Sequence, residues 1–239
     1  MRRSIRLCGR TVSYELQRKA VKNINLRIRP DGSVAVSANR WVPIAAVEAF
    51  LQRKGEAIVA ALDRFERAAQ AAPLPLRYET GDRLFLYGEP VTLRVEEGLR
   101  NAVRPQGSEL VLTVRDRSDT AMKEKVLDNW RKEECARAME EICRDIYPLF
   151  QPYGVKFPQF RFRKMRSRWG SCSPTKGLVT FSTFLLGAPP ECMEFVAVHE
   201  FTHFLRADHS PEFHRWMDGF LPDWKQRKKR LAEYGILLR

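Results

Sequence analysis

The chain has four histidines, His199, His203, His209 and His214, and all of them fall within 16 of its 239 residues. Histidines serving as general core or surface residues would scatter, so the clustering points to a shared task. The first two stand in His199-Glu200-Phe201-Thr202-His203. Side chains four apart on a helix share a face, so both imidazoles can reach one metal ion. Glu200 is rotated about 100° from His199. There it sits beside such an ion rather than on it, where a carboxylate can take a proton from a metal-polarised water. A catalytic zinc usually has three protein ligands and one open position. His209, ten residues after His199 and just past the expected helix end near Arg206, is the favoured third ligand. His214, Asp208 and Glu212 remain open as ligands on spacing alone.

The helix that must present these groups is apolar on most sides, with Phe195, Val196, Ala197, Val198, Phe201, Phe204 and Leu205. Ionisable groups on a buried helix are costly unless paired or metal-bound. Pro189-Pro190 opens this helix, which the pattern carries to about Leu205, and two short helices follow. Upstream, Met122, Val126, Trp130, Ala138, Ile142, Ile146 and Phe150 form an i+4 ladder. It predicts a long core-facing helix, capped by Ser118 or Asp119 and ended by Pro152-Tyr153-Gly154. Strands are expected at 157–162 and 178–181.

The first half alternates instead. Val12, Tyr14 and Leu16, then Ile24, Leu26 and Ile28, then Val34 and Val36 after the turn Asp31-Gly32, read as a β-meander. Pro43 opens an amphipathic helix to about residue 70, and AAQAAPLPL (68–76) reads as a linker. Strands resume between Leu84 and Val114 around turns at 88–90 and 105–108. No internal repeat or low-complexity segment stands out. The organisation expected is α+β: a β-rich N-terminal region with one helix over 1–118, then a catalytic domain over 119–239.

Composition bounds the partners. With 42 Lys and Arg against 29 Asp and Glu, the chain carries a formal charge of +13, which favours anionic partners. Its five cysteines are odd in number and form no C-x-x-C. A disulfide framework is therefore disfavoured and a reducing, cytoplasmic setting is expected. No secretory h-region and no 18-residue apolar run is seen, so no membrane partner is expected. Residues 155–176 hold seven basic residues and no acidic one, interleaved with Phe157, Phe160, Phe162 and Trp169. Either this is an anion-binding edge beside the metal, or the arginines form the wet face of a strand whose phenylalanines face the core. Cys172 reads as a small buried residue rather than a nucleophile. The C-terminal run from Lys225 to Arg230 reads as a solvated helix face.

Three ordered elements make the chain recognisable: Arg168-Trp169-Gly170-Ser171-Cys172, His199-Glu200-Phe201-Thr202-His203 and His209-Ser210-Pro211-Glu212-Phe213. The sequence resembles the YgjP-like family of predicted metal-dependent hydrolases, related to the SprT-like zinc metallopeptidases. The resemblance reaches back to Ile24–Ile28 and Asp31–Val36. It implies a zincin-like catalytic domain, zinc bound by His199, His203 and His209, Glu200 as catalytic base, and a substrate contact for Arg168. Two positions depart from the family pattern: Ser182 and Asp208 each stand where the family usually has Asn. The spacing from His199 to His209 also equals that of metzincins, but Arg206 occupies the place where their sharp turn needs Gly.

The function expected is that of a zinc-dependent metallopeptidase. Two further readings explain the charge. One is hydrolysis of a nucleotide phosphoanhydride, since a metal centre polarises carbonyl and phosphoryl oxygens alike. The other is a nucleic-acid-binding module with a structural metal, which leaves Glu200 idle.

Overall fold

The computed structural model describes residues 2–29, 31–71 and 76–237. Two compact units emerge, Met1–Ala72 and Pro73–Arg239. In the first, β1 (Arg2–Leu7), β2 (Arg10–Arg18), β3 (Asn25–Ile28) and β4 (Val34–Ala38) form a sheet in the order β1-β2-β4-β3. Period-2 alternation turns Val12, Tyr14, Leu16, Val34 and Val36 to one face. That face packs with Val47 and Leu51 of α1 (Ile44–Arg53) and Ile58 and Leu62 of α2 (Gly55–Ala71). The single helix expected over 43–70 is thus two, because Lys54 leaves helical geometry at φ −100°, ψ 7° just before Gly55. Of the expected linker, 68–71 close α2, and 72–75 lie outside the described residues.

The second unit begins by repeating this plan. β5 (Arg83–Leu86), β6 (Glu89–Glu97), β7 (Ala102–Gln106) and β8 (Glu109–Val114) lie in the order β5-β6-β8-β7. In both sheets the outer pairs are antiparallel and the central pair is parallel. Both first hairpins turn through two residues of positive φ, Cys8 (46°) with Gly9 (82°) and Tyr87 (52°) with Gly88 (88°). A two-residue hairpin loop of this kind matches the twist of its strands. The third turn of each copy contains Arg-Pro-x-Gly-Ser, at 29–33 and at 104–108. The chain therefore does contain an internal repeat. It was hidden because, apart from Leu7 with Leu86 and Val12 with Val91, the strands share mostly apolar character, and the longest identical run is in the third turn.

From Thr120 to Phe150 runs α3, started by Asp119, whose Oδ1 accepts the Met122 N–H at 2.9 Å. Its Leu127 completes the core under β6 and β8, with Leu93, Leu110 and Leu112. The boundary expected at 118/119 thus falls inside the second unit, because the sheet buries its face against the helix that follows it. Further along, Cys135, Met139, Cys143, Ile146 and Phe150 belong to a second core. That core also holds the sheet β10-β11-β9, made of β9 (Gln159–Arg163), β10 (Gly170–Ser173) and β11 (Leu178–Ser182). It includes α4 (Pro190–Thr202), α5 (Pro211–Phe220) and α6 (Trp224–Leu237) as well. β10 escaped sequence reading: Gly-Ser-Cys-Ser has little strand character, and pairing with β11 makes it one. No helix among the described residues is long and apolar enough to cross a membrane.

The β5–β6 turn is built into the approach to α4. Tyr87 N–H donates to the Leu186 carbonyl at 2.8 Å and Gly88 N–H to that of Gly187 at 3.2 Å. The Tyr234 hydroxyl donates to the Gly88 carbonyl at 3.0 Å. A side chain at Gly88 would lie 2.8 Å from Pro189 Cγ, at the N-cap of α4.

Candidate metal centre

The α4 helix carries His199 and Glu200 in its last turn and stops at Thr202, one turn earlier than its apolar pattern suggests, with His203 as its C-cap. His203 Nδ1 lies 3.2 Å from the Arg206 carbonyl. A proton on Nδ1 donated to that carbonyl leaves Nε2 as the free lone pair, the usual way a ligating imidazole is oriented. The chain then turns back. Arg206 Nε donates to Asp208 Oδ1 at 2.8 Å and to Ser210 Oγ at 3.2 Å, and its guanidinium lies 3.4 Å from Glu212. This clamp closes the loop that brings His209 home. Arg206, by sequence merely the wrong residue for a glycine turn, is what holds the turn. Asp208 is its partner, kept below the usual carboxylate range by Ser210 and then by Arg206.

His199, His203 and His209 each offer a ring nitrogen, and these three atoms lie within 4.8 Å of one another. The Nε2 atoms of His199 and His209 are 3.1 Å apart. Tetrahedral ligands with ~2.0–2.1 Å metal–nitrogen bonds sit roughly 3.3 Å apart, so the pair fits a shared ion. Beneath them is Phe213, 1% exposed, with its ring centroid 5.0, 4.8 and 4.8 Å from those of His199, His203 and His209. Burial holds His199 down at about 3, helped by its histidine neighbours, and it holds His203 down as well. Neutral imidazoles are the form that binds metal. His214 stays out of the cluster and stacks on Trp224 at 5.5 Å. Asp208 and Glu212 are held by Arg206 instead of joining the imidazoles.

Glu200 is 5% exposed, and burial pushes its carboxyl up to about 8 against an opposing pull from Arg168. Its Oε2 is buried with no hydrogen-bond partner. Such an atom is expensive unless something occupies the space before it. Gly170 makes room for this carboxylate. A Cβ there would lie 2.5 Å from Glu200 Oε1 and 2.7 Å from its Cγ, so only glycine fits. Arg168, Gly170, Phe195, His199, Glu200 and Lys228 are among the residues lining a 340 Å³ cavity whose exposed surface is mainly apolar. Histidine clustering and helical spacing found the imidazoles and Glu200. Gly170 and Phe213 lie inside the recognisable motifs, but their roles needed coordinates.

The remaining residues of interest also find places. In β9 the arginines Arg161 and Arg163 are exposed, while Phe160 and Phe162 turn inward to pack with Phe181. This is the one-wet, one-dry face. Lys164 is held by Glu124 and Asp128 at 3.1 and 2.7 Å. Ser182, fully buried, donates its hydroxyl to the Met165 carbonyl at 2.9 Å and its N–H to that of Trp169 at 2.8 Å. It ties the Arg168-bearing segment to the sheet. The Cys172 thiol is half-buried, and burial followed by Glu200 pushes it up to about 12, which disfavours the thiolate.

A family model described as YgjP-like, metallopeptidase domain, matches residues 22–234. No curated protein matches. Among solved structures, the metallopeptidase zymogen jannalysin of Methanocaldococcus jannaschii aligns at 13% identity over 40% of this chain and 94% of its own. Its TM-score is 0.35, too loose a likeness to carry an argument.

Proposed function

Because the chain belongs to the YgjP-like family of metallopeptidase domains, we propose that it is a zinc-dependent peptidase in which His199, His203 and His209 hold the metal and Glu200 is the general base. One observation carries this reading: three imidazoles converge above Phe213 while a buried carboxylate with an unpartnered oxygen lies alongside. When bound, zinc supplies the Lewis acidity that polarises a water and a scissile carbonyl. Glu200, in its carboxylate form beside the bound metal, would take the proton from that water at its free oxygen and return it to the departing amine. Gly170, against Oε1 and Cγ, leaves room for the carboxylate to lie there. Arg168, exposed on the cavity wall, is the cation nearest to hand for a substrate carbonyl or carboxylate. The apolar lining accepts a substrate side chain. Five free thiols suit a cytoplasmic, reducing setting.

A second reading, hydrolysis of nucleoside triphosphates, draws on Arg168 and Lys228, the two cations of the cavity wall. Arg161 and Arg163, whose charge speaks for it in the sequence, do not line that cavity. The test compares zinc-loaded protein with Glu200→Gln on quenched-fluorescent peptides and on nucleoside triphosphates, with zinc content measured for His209→Ala. The expected result is peptide turnover lost by roughly 10²–10⁴-fold in the Gln variant, and zinc lost from the Ala variant. Turnover of triphosphates alone would replace the peptide reading with the second. Activity that persists in Glu200→Gln would reject both.

A further inference from the structure

The two β-modules share a backbone plan but not a charge. Residues 1–43 carry ten Lys and Arg against two acidic residues, whereas 76–118 carry seven of each. The plan itself therefore does not demand the excess, which accounts for most of the chain's +13.

Part of the difference shows on the open face of each sheet, in how its arginines are partnered. In the second module, strand register puts Arg83, Arg94 and Arg104 on this face, and the last two are neutralised by their neighbours. Arg94 pairs with Glu96 and, at 2.9 Å, with Glu109, and Arg104 lies 3.6 Å from Glu96. In the first module, register puts Arg2 and Arg6 of β1 and Arg27 of β3 on the corresponding face. All three are exposed, and among the described residues none forms an ion pair, although Glu15 stands opposite Arg2 in register. The acid on that face, Glu15, is engaged by Gln17 at 3.0 Å. Ser4, Thr11, Ser13, Ser37 and Asn25 fill the rest of the face with hydroxyl and amide groups.

Spacing says what this face suits. Arg2 and Arg6 are four residues apart, roughly 13 Å, and Arg2 and Arg27 three strand gaps apart, roughly 14 Å. One phosphate cannot bridge such distances; a polymer with a charge on every unit can. At the end of β2 and β4, Arg18 donates to the carbonyls of Asn39 and Val42, both at 2.8 Å, and fixes a loop that holds Trp41 out to solvent. Trp41 is 78% exposed and carries the Arg40 guanidinium 4.6 Å from its ring centre. An aromatic face held beside a cationic surface is how unstacked bases are gripped without sequence preference. Apart from Trp41 at its end, the face has no exposed large apolar side chain among the described residues.

We propose that the open face of β1-β2-β4-β3, with Trp41 at its end, docks a single-stranded nucleic acid through its phosphates and one stacked base. This surface is independent of the metal centre. The test is fluorescence anisotropy of full-length protein with labelled twelve-residue oligothymidine and oligouridine, at 50 and 200 mM salt. Binding should be saturable and weaken steeply with salt. Arg6→Glu with Arg27→Glu should weaken it more than tenfold and flatten the salt dependence. Trp41→Ala should weaken it about tenfold and leave the salt slope unchanged. Arg161→Glu with Arg163→Glu should change it less than twofold. The proposal is overturned by no saturable binding at 50 mM salt, by loss through the Arg161 and Arg163 changes instead, or by equal binding of phosphatidylserine vesicles through Arg6 and Arg27.

Discussion

One backbone plan is used twice in this chain and put to different ends. In both copies a hairpin turns through two residues of positive φ, a parallel pair forms the middle of the sheet, and one face is buried against helix. In the first copy the hairpin tip is open at Gly9, where an added side chain would meet nothing within 4 Å. In the second the tip is clamped against Leu186, Gly187 and Pro189, directly before the helix that carries His199 and Glu200. The comparison shows that turn chemistry and burial specify such a module. Its edges, tips and open face are left available for separate work. The second copy has become scaffolding for a site, and the first has not.

The sharpest test of that division compares glycines. Gly170→Ala pushes a Cβ into the Glu200 carboxylate, and we expect peptide turnover to fall roughly 10³-fold, within the range for losing a general base. Zinc content should stay the same, as measured by elemental analysis. In the first unit Gly55→Ala makes only ordinary contacts, 3.5 Å to Cys8 Sγ, and should leave turnover unaltered. Equal losses in the two variants would erase the distinction between scaffold and free module.

A second comparison concerns the tips. Both Gly9→Ala and Gly88→Ala force a side chain into left-handed backbone, costing about 1–2 kcal/mol. Only at Gly88 does the new atom also strike Pro189, adding about 1–3 kcal/mol of overpacking. Urea unfolding should therefore show Gly88→Ala to be less stable by about 3 kcal/mol and Gly9→Ala by about 1 kcal/mol. Similar values would mean that the clamp contributes nothing.

The smallest effect is a pH profile of metal-free protein. Glu200 has a folded pKa of about 8 against 4.5 for the free side chain. The folded state then holds a proton the unfolded state has lost, so this contribution to stability is complete below 4.5 and drains away up to pH 8. His199 runs the other way: held at about 3 against 6.5, it contributes above 6.5 and loses that contribution as pH falls toward 3. Thermal melts of Glu200→Gln should lack the decline between 4.5 and 8 and exceed wild type by several degrees at pH 8. The acid-side loss should persist. A variant that tracks wild type at every pH would contradict the burial cost assigned to Glu200.

What the sequence disclosed follows from what is local. His199, Glu200 and His203 were readable because helical spacing alone puts them together. His209 was only the favoured one of four candidates on spacing, and the family resemblance singled it out. Asp119 and Pro189 announced α3 and α4 by capping rules that act over a few residues. What stayed hidden depends on distant partners. Gly170 matters only because Glu200 reaches it, and Arg206 because the chain returns to Asp208 and Ser210. β10 is a strand only beside β11. The repeat escaped because Tyr14 and Leu93, or Val34 and Leu110, play the same part in register without being the same residue.

The 31-residue helix α3 has a consequence for how the second unit comes apart. At ~1.5 Å per residue it is roughly 46 Å long. It gives Leu127 to the core under β6 and β8, and Cys135 to Phe150 to the core under α4, with Trp130 packed against both. Neither core can open while the other keeps the middle of this helix in place. Amide protons in β6, β8 and α4 should therefore exchange with solvent through one shared opening, with a common free energy, rather than as two independently fluctuating pieces. The part of this unit that carries His199, His203 and His209 is in that sense as rigid as the β5-β6-β8-β7 sheet.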